Sequence, residues 1–172
     1  KAVSPESENP CGHVSGANLT AYWKRRQPTL CKNVATASTG VSVYKQVFRE
    51  LYPLMGGDGP VTASEYKTGI VKYFKNKGVS GASATIDDWP TFETDCKTEI
   101  SAGRPIPTLY IGHQHYAFHW VTIFGYKRYK YGSTYQNYLR IADGWSDDAN
   151  RYDYAATNNS RFANSIIKFR VS

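Results

Sequence analysis

The hydrophobic pattern divides the chain into a first half that predicts helices and a second half that predicts strands. In the first half, apolar residues recur with helical spacing at Val43, Val47 and Leu51, which is typical of an amphipathic helix. Four helices are predicted, beginning near Pro10, near Val43, after the capping-box sequence Thr62–Glu65 and at about Thr91, the last ending near Ser101. Runs of β-branched and aromatic residues predict four strands, over residues 107–111, 120–126, 138–142 and 166–171.

Helices followed by antiparallel strands are the pattern of an α+β fold. The length of 172 residues suits one domain rather than two. We expect a helical half over about residues 1–104 to pack on an antiparallel sheet over about residues 105–172, with a cleft between them. The longest apolar stretch, residues 116–126, is too short to cross a bilayer, so no membrane span is expected.

The chain carries a net charge of +7, from 21 basic and 14 acidic residues. A field of this sign attracts acidic partners, among them an anionic cell-wall polymer. The densest basic clusters, residues 24–26 and 127–130, are shorter than the like-charge blocks of nucleic-acid-binding arms. We therefore expect no nucleic-acid partner, and we also expect a monomer.

Three cysteines, Cys11, Cys31 and Cys96, give an odd count. Such a count favours one disulfide and one free thiol, with Cys31 paired to Cys96; three reduced thiols are the alternative. Because disulfides persist outside the cytosol, we expect a secreted or surface-exported protein. The chain begins at Lys1 without an apolar signal segment, and we expect this start to reflect processing or cropping.

The remaining thiol, Cys11, lies where the first predicted helix begins. The exposed N–H groups and the dipole at a helix N-terminus lower the pKa of a thiol there, and a thiolate nucleophile needs a histidine as its base. The chain has four histidines, His13, His113, His115 and His119. His13 is two positions from Cys11 and cannot face it on a helix. His119 is the first residue of a strand that is expected to be buried. An ionisable side chain at such a position indicates a structural or functional role.

His119 and Asp143 are expected to be neighbours. The strand that begins at His119 and the strand that ends before Asp143 are joined by a predicted hairpin over residues 127–137. In an antiparallel pair, the start of one strand lies beside the end of the next. The Asp143 carboxylate is then placed to hold His119 in the tautomer that accepts the thiol proton.

Five short segments also stand in a characteristic order along the chain. They are Cys11-Gly12, Ala21-Tyr22-Trp23, Ser101-Ala102-Gly103-Arg104-Pro105-Ile106, His119-Trp120-Val121-Thr122-Ile123-Phe124-Gly125-Tyr126 and Ile141-Ala142-Asp143-Gly144-Trp145. Together they resemble the bacterial papain-like cysteine peptidases of the C39-like family, over about residues 9–148. The resemblance implies a papain-like fold with Cys11 as nucleophile, His119 as general base and acid, and Asp143 orienting His119. No metal or other cofactor is expected.

The resemblance also implies a donor for the oxyanion. Family members usually carry a Gln about six residues before the nucleophile, where this chain has Pro5-Glu6-Ser7-Glu8-Asn9-Pro10. Asn9 is the only side-chain amide in that segment, so we expect it to act together with the Cys11 main-chain N–H. The implied reaction is hydrolysis of a peptide bond in a protein or peptide substrate, through a thioester acyl-enzyme.

Other classes of function stay open. His113 and His115 have the spacing of metal ligands on a strand, and His119 and Asp143 would complete a hydrolytic zinc site. Tyrosines mixed with Lys and Arg over residues 126–154 would form a sugar- or peptide-binding face, and with an inactive triad the chain would be a binding module. A further alternative is an endopeptidase or amidase of the cell wall, because peptidases of related fold cut peptidoglycan cross-links.

Overall fold

The computed structural model describes residues 9–37, 40–145, 148, 150–155 and 160–172. Within them the helices are α1 (Cys11–Arg26), α2 (Gly40–Leu51), α3 (Ala63–Asn76) and α4 (Lys97–Ser101), with a 3₁₀ turn at Tyr52–Leu54 and a π-helical turn at Phe92–Cys96. The strands are β1 (Ser83–Asp88), β2 (Ile106–His113), β3 (Ala117–Tyr131), β4 (Thr134–Ala142), β5 (Tyr152–Tyr154) and β6 (Ser165–Arg170).

The six strands form one antiparallel sheet in the order β1-β6-β2-β3-β4-β5. Successive residues of a strand point to opposite faces, and the two faces bury different clusters. Trp120 belongs to a cluster shared with α1, α2 and α3, whereas Val121 belongs to one shared with Phe92 and Ile100. We call these the helix face and the outer face. The predicted α+β fold, with helices packed on an antiparallel sheet, is confirmed.

Helix boundaries follow the signals in the sequence. At the start of α3, Glu65 N–H donates to Thr62 Oγ1 at 3.2 Å and Thr62 N–H donates to Glu65 Oε2 at 2.8 Å, which completes the capping box. Directly after the end of α2 at Leu51, the chain continues as the 3₁₀ turn that contains Pro53. Proline has no main-chain N–H and therefore does not continue an α-helix. Among the described residues, no helix has the length and apolar character needed to cross a bilayer.

Two strands and the extent of the hairpin differ from the prediction. β1 lies within the half predicted to be helical, and β5 was not predicted; both are edge strands that pair with one neighbour only. Both segments are strands because they pair with residues distant in the sequence, for example Ser83 with Arg170. Local composition does not encode such pairing. The β3–β4 hairpin turns within Gly132 and Ser133, so its strands are longer than predicted. The predicted fourth helix is divided between the π-helical turn and α4.

The cysteines are distributed over three environments. Cys31 is buried in the cluster on the helix face, Cys96 is buried in the cluster on the outer face, and Cys11 is half-buried. All three are free thiols in the structure. The Cys31–Cys96 disulfide stays a prediction, which a thiol count of the purified protein under denaturing conditions would test.

Candidate active site

One cavity of about 210 Å³ brings together the four site residues predicted from the sequence. Asn9, Cys11, His119 and Asp143 line it, and the walls are completed by Pro10, Val14, Phe118, Gly144 and Trp145. Cys11 comes from the helical half and His119 and Asp143 come from the sheet. The expected cleft between the two halves is therefore present at the N-terminus of α1.

Two glycines allow the backbone segments around the cavity to approach closely. A Cβ on Gly12 would lie 2.7 Å from the side chain of Val61, so the first turn of α1 could not pack there with a larger residue. Gly144 has a φ of +75°, and a Cβ on it would lie 2.9 Å from Val14 Cγ1. The chain after β4 thus folds against α1, one turn beyond Cys11.

His119 and Asp143 are joined by a hydrogen bond, but not by the group that the sequence suggested. His119 Nε2 lies 2.7 Å from the main-chain carbonyl oxygen of Asp143. A carbonyl oxygen only accepts, so Nε2 carries the proton, and in the neutral ring Nδ1 has the free lone pair. This is the tautomer that a base requires, and the main chain at the end of β4 sets it.

The Asp143 carboxylate makes other contacts. Its Oδ2 lies 2.8 Å from Arg151 Nε, and its Oδ1 accepts a hydrogen bond from the Trp145 main-chain N–H at 3.0 Å. The residue is buried, so this ion pair and this hydrogen bond compensate the loss of water around the carboxylate. They also fix the turn that directs the Asp143 carbonyl at His119. Asp143 therefore contacts His119 through its main-chain carbonyl.

Two aromatic rings enclose the His119 imidazole. The centroid of Trp145 lies 4.1 Å from that of the imidazole, and Tyr116 stacks on it at 5.3 Å with an angle of 12°. Trp145 is 54% exposed and forms a wall of the cavity. Trp120 belongs to the core instead: it stacks on Tyr66 and donates its Nε1–H to the Val61 carbonyl at 2.7 Å.

Burial shifts Cys11 and His119 toward their neutral forms. It raises the pKa of the Cys11 thiol, against the smaller opposing effects of the main-chain amides of Trp120, Gly12 and Cys11 itself. It lowers the pKa of His119, against the opposing effects of the Asp143 carbonyl and carboxylate. The sequence suggested a lowered thiol pKa at this helix terminus, and desolvation outweighs that effect. Both shifts favour the uncharged forms of the two groups.

The other two histidines of the β2–β3 hairpin lie apart from the cavity. His113 Nε2 is 3.6 Å from Asp153 Oδ2, and its ring stacks on Tyr116. His115 Nε2 accepts a hydrogen bond from an Arg151 terminal nitrogen at 2.8 Å. Among the residues that the structure describes, no group of three or more His, Cys, Asp or Glu side chains is arranged to hold a metal ion.

The chain matches no protein-family model, and a search of curated proteins also returns no match. The similarity to C39-like peptidases therefore stays a resemblance carried by the five segments described above. The chemistry of the cavity has to be argued from its own geometry.

Two residues at the site were not found from the sequence. Tyr116 lies in the turn between β2 and β3, next to the strand that carries His119, and a stacking role has no signature in a turn. Arg151 lies eight positions after Asp143, beyond the turn that follows β4. Its ion pair with Asp143 joins two residues that no periodic pattern relates. The sequence signal for Arg151 is indirect: Asp143 follows a strand that is predicted to be buried, and a buried carboxylate needs a cationic partner.

Proposed function

We propose that this protein is a cysteine peptidase in which Cys11 is the nucleophile and His119 the general base and acid. The observation that carries the proposal is the single cavity lined by a half-buried thiol and an imidazole whose tautomer is set by a carbonyl. A nucleophile, a base and a group that orients the base are the parts required for acyl transfer. The resemblance to C39-like peptidases supports the same assignment.

The reaction begins with a neutral pair. As Cys11 Sγ attacks the carbonyl carbon of the peptide bond, His119 Nδ1 accepts the thiol proton, and the carbonyl oxygen becomes an oxyanion. The Cys11 main-chain N–H at the start of α1 is one donor for that oxyanion, and the Asn9 side chain at the cavity is the second. The tetrahedral intermediate then collapses, His119 returns the proton to the leaving amine, and a thioester remains on Cys11.

Water completes the cycle. His119 Nδ1 removes a proton from the water molecule that attacks the thioester carbon, and the C–S bond then breaks. The released thiolate recovers its proton from the imidazolium, and the product leaves as an acid. During each transfer the positive charge on the ring is stabilised by the Asp143 carbonyl and carboxylate, the two groups that oppose the burial effect on the His119 pKa.

Hydrolysis of an unfolded protein substrate such as casein tests the proposal, with Cys11→Ala and Cys11→Ser as variants. We expect both variants to lose activity by at least about 1,000-fold, because neither supplies a thiol nucleophile. Their thermal unfolding should stay close to that of the parent, since Cys11 is only half-buried. Activity retained in Cys11→Ala would refute the proposal.

Labelling of Cys11 by substrate-like inhibitors provides an independent readout. A peptide aldehyde or chloromethyl ketone should add one mass equivalent to Cys11 and none to Cys31 or Cys96, which are buried in the two clusters. Plain alkylation by iodoacetamide should be slow below about pH 8, because burial raises the thiol pKa. Fast labelling by the peptide reagent together with slow alkylation is the signature expected of a thiol that is activated only when substrate is bound.

Cross-links of an anionic cell wall are the second candidate substrate. The net charge of +7 favours this class of target over a neutral one. We also propose a secreted or surface-exported location, because a cell-wall substrate lies outside the cytoplasm. Release of soluble amino groups from purified peptidoglycan, compared between the parent and Cys11→Ala, distinguishes the two.

A further inference from the structure

The Arg151 side chain connects three residues that lie around the His119 imidazole. Its Nε lies 2.8 Å from Asp143 Oδ2, directly after the end of β4. Its Nη2 lies 2.8 Å from His115 Nε2, in the turn between β2 and β3. The same side chain also forms a hydrogen bond with the Tyr116 hydroxyl. One guanidinium therefore joins the segment after β4 to the β2–β3 turn.

Each of these three partners contacts His119 or a ring that packs on it. The Asp143 main-chain carbonyl lies 2.7 Å from His119 Nε2, and the Tyr116 ring stacks on the imidazole at 5.3 Å. His115 packs edge-on against Trp145 with the ring centroids 6.0 Å apart, and the Trp145 centroid lies 4.1 Å from that of the imidazole. The groups that enclose the imidazole are thus tied to the same cation.

A guanidinium suits this arrangement better than an ammonium would. It is planar and carries five N–H donors in a fixed fork, and its three partners offer a carboxylate, a ring nitrogen and a hydroxyl as acceptors. Because a guanidinium only donates, His115 Nε2 is the acceptor in that contact. The hydrogen bond with Tyr116 and the charges of Asp143 and Asp148 raise the pKa of Arg151, against the opposing effect of burial. Arg151 therefore remains a cation.

Arg151 has no direct access to the reacting atoms. It is not one of the described residues that line the cavity of Cys11 and His119. Any influence on the chemistry must therefore pass through Asp143, Tyr116 or His115. Small displacements of a catalytic group reduce the rate strongly, because proton transfer requires a defined geometry.

We propose that Arg151 is a positioning residue for the general base. Its guanidinium holds the Asp143 carbonyl and the Tyr116 ring against His119, and so keeps the imidazole in one orientation relative to Cys11. The inference rests on the proposed function for its effect on the rate. Its effect on the hydrogen bond of His119 is independent of that function and is measured separately.

Arg104 provides a matched control for the loss of an ion pair. Its Nε lies 2.9 Å from Glu99 Oε2, and Glu99 is buried, so the contact repeats the geometry of Arg151 and Asp143. Glu99 also pairs with Arg170. Neither Arg104 nor Glu99 lines the cavity. Arg104→Met therefore removes an arginine from a buried carboxylate without touching the surroundings of His119.

Exchange of the His119 Nε2 proton with water measures how firmly the imidazole is held. Nuclear magnetic resonance of the ¹⁵N-labelled full chain detects this proton, and its absence in His119→Gln assigns the signal. We expect exchange to be at least about tenfold faster in Arg151→Met than in the parent, because the carbonyl partner is no longer fixed. In Arg104→Met the exchange rate should change by less than about twofold.

Hydrolysis rates provide the second measurement. We expect kcat of Arg151→Met to fall by about tenfold or more while KM changes by less than about twofold, because Arg151 positions the base and does not contact the substrate. Arg151→Lys keeps the charge but not the fork, so its kcat should lie between those of the parent and Arg151→Met. Arg104→Met should keep the kcat of the parent.

A double variant tests whether Arg151 acts through Asp143. Arg151→Met leaves a buried carboxylate without its cation, and Asp143→Asn removes that unpaired charge. The variant Arg151→Met/Asp143→Asn should therefore be faster than Arg151→Met alone. If the double variant were slower than Arg151→Met, the two residues would act independently, and the proposal would be wrong.

The outcomes separate this inference from the proposed function. Unchanged proton exchange in Arg151→Met, or an unchanged kcat in an active protein, would overturn the role of Arg151 and leave Cys11 and His119 as assigned. Faster exchange in a parent chain that hydrolyses no substrate would refute the peptidase and support the positioning role. Equal acceleration in Arg104→Met would show an effect of general stability and overturn the proposal. If Arg151→Met does not fold, Arg151→Lys and the double variant undergo the same comparisons.

Discussion

Two buried histidines, His13 and His119, lie in comparable aromatic surroundings, but only His119 lines the cavity. His13 is fully buried on α1 between the rings of Phe48 and Tyr52, with ring centroids at 5.3 Å in both cases. His119 is 3% exposed on β3 between Tyr116 and Trp145. Burial lowers the pKa of both. Neither burial, aromatic neighbours nor a shifted pKa separates a functional histidine from a structural one.

The two histidines differ in the other groups that their rings contact. His119 lines the cavity that contains Cys11, and a carbonyl at 2.7 Å fixes its tautomer. His13 points away from Cys11 into the cluster between α1 and α2, where burial outweighs the opposing effects of the Tyr52 main chain and the Asp58 charge on its pKa. The criterion that separates the two histidines is therefore whether the ring shares a cavity with a nucleophile.

Replacing each histidine by alanine should separate these roles by the largest margin. His119→Ala removes the base, and we expect hydrolysis to fall by about 1,000-fold with a smaller loss of stability than in His13→Ala, because the ring borders a cavity instead of a closed core. His13→Ala empties a packed position, and we expect the free energy of unfolding to fall by roughly 2–4 kcal/mol. Protease assays at a temperature where both variants are folded, together with urea unfolding, measure the two effects.

The interpretation fails if the two variants exchange behaviours. A His13→Ala protein that is stable but inactive would place His13 in the chemistry. Loss of folding in His119→Ala would make that residue structural, and His119→Gln, which keeps more of the side-chain volume, would then distinguish lost packing from a lost base.

The sequence identified the parts of this comparison that depend on local patterns. Helical spacing excluded His13 as a partner of Cys11, and the order of the strands placed His119 beside Asp143, as the hydrogen bond at 2.7 Å confirms. The capping box at Thr62–Glu65 likewise fixed the start of α3. These features involve residues close in sequence or in adjacent strands, where spacing determines geometry.

Other features depend on how distant segments pack, and the sequence could not supply them. The atom of Asp143 that meets His119 is decided by the ion pair of its carboxylate with Arg151 and by the turn at Trp145. Burial of the Cys11 side chain raises its pKa, and this effect outweighs the main-chain amides at the helix terminus that the sequence reveals. The edge strand β1 forms only because β6 lies beside it.

Asp143→Asn should have an intermediate effect and tests which group orients His119. The variant keeps the main-chain carbonyl, so we expect the rate at neutral pH to fall by less than about tenfold. It removes a charge that raises the His119 pKa, so the acidic limb of the kcat/KM profile should move to lower pH. A pH–rate profile of the parent and the variant measures both effects.

Asp153→Asn is the matched control, because Asp153 lies 3.6 Å from His113 and outside the cavity. It should leave the position of the acidic limb unchanged. A loss of rate in Asp143→Asn as large as that in His119→Ala would show that the carboxylate, rather than the carbonyl, holds the ring during catalysis.

Acid stability gives the smallest expected difference and concerns His13. Because its pKa in the folded protein is below the ordinary value of 6.5, the unfolded chain binds more protons, and stability is lost as the pH falls below about 6.5. Asp58 raises the His13 pKa and so limits this loss. We expect Asp58→Asn to make the fall in stability below pH 6.5 steeper by a few tenths of a kcal/mol, since Asp58 is exposed.

The double variant His13→Leu/Asp58→Asn isolates that coupling. Leucine at position 13 does not titrate, so in this background the Asp58 substitution should no longer alter the dependence of unfolding free energy on pH. Urea unfolding at pH 7.5, 6.0 and 5.0 for the four proteins of the cycle is the measurement. Equal effects of Asp58→Asn in both backgrounds would show that the Asp58 charge is coupled to another group. His13 would then not be the residue between α1 and α2 that makes stability sensitive to acid.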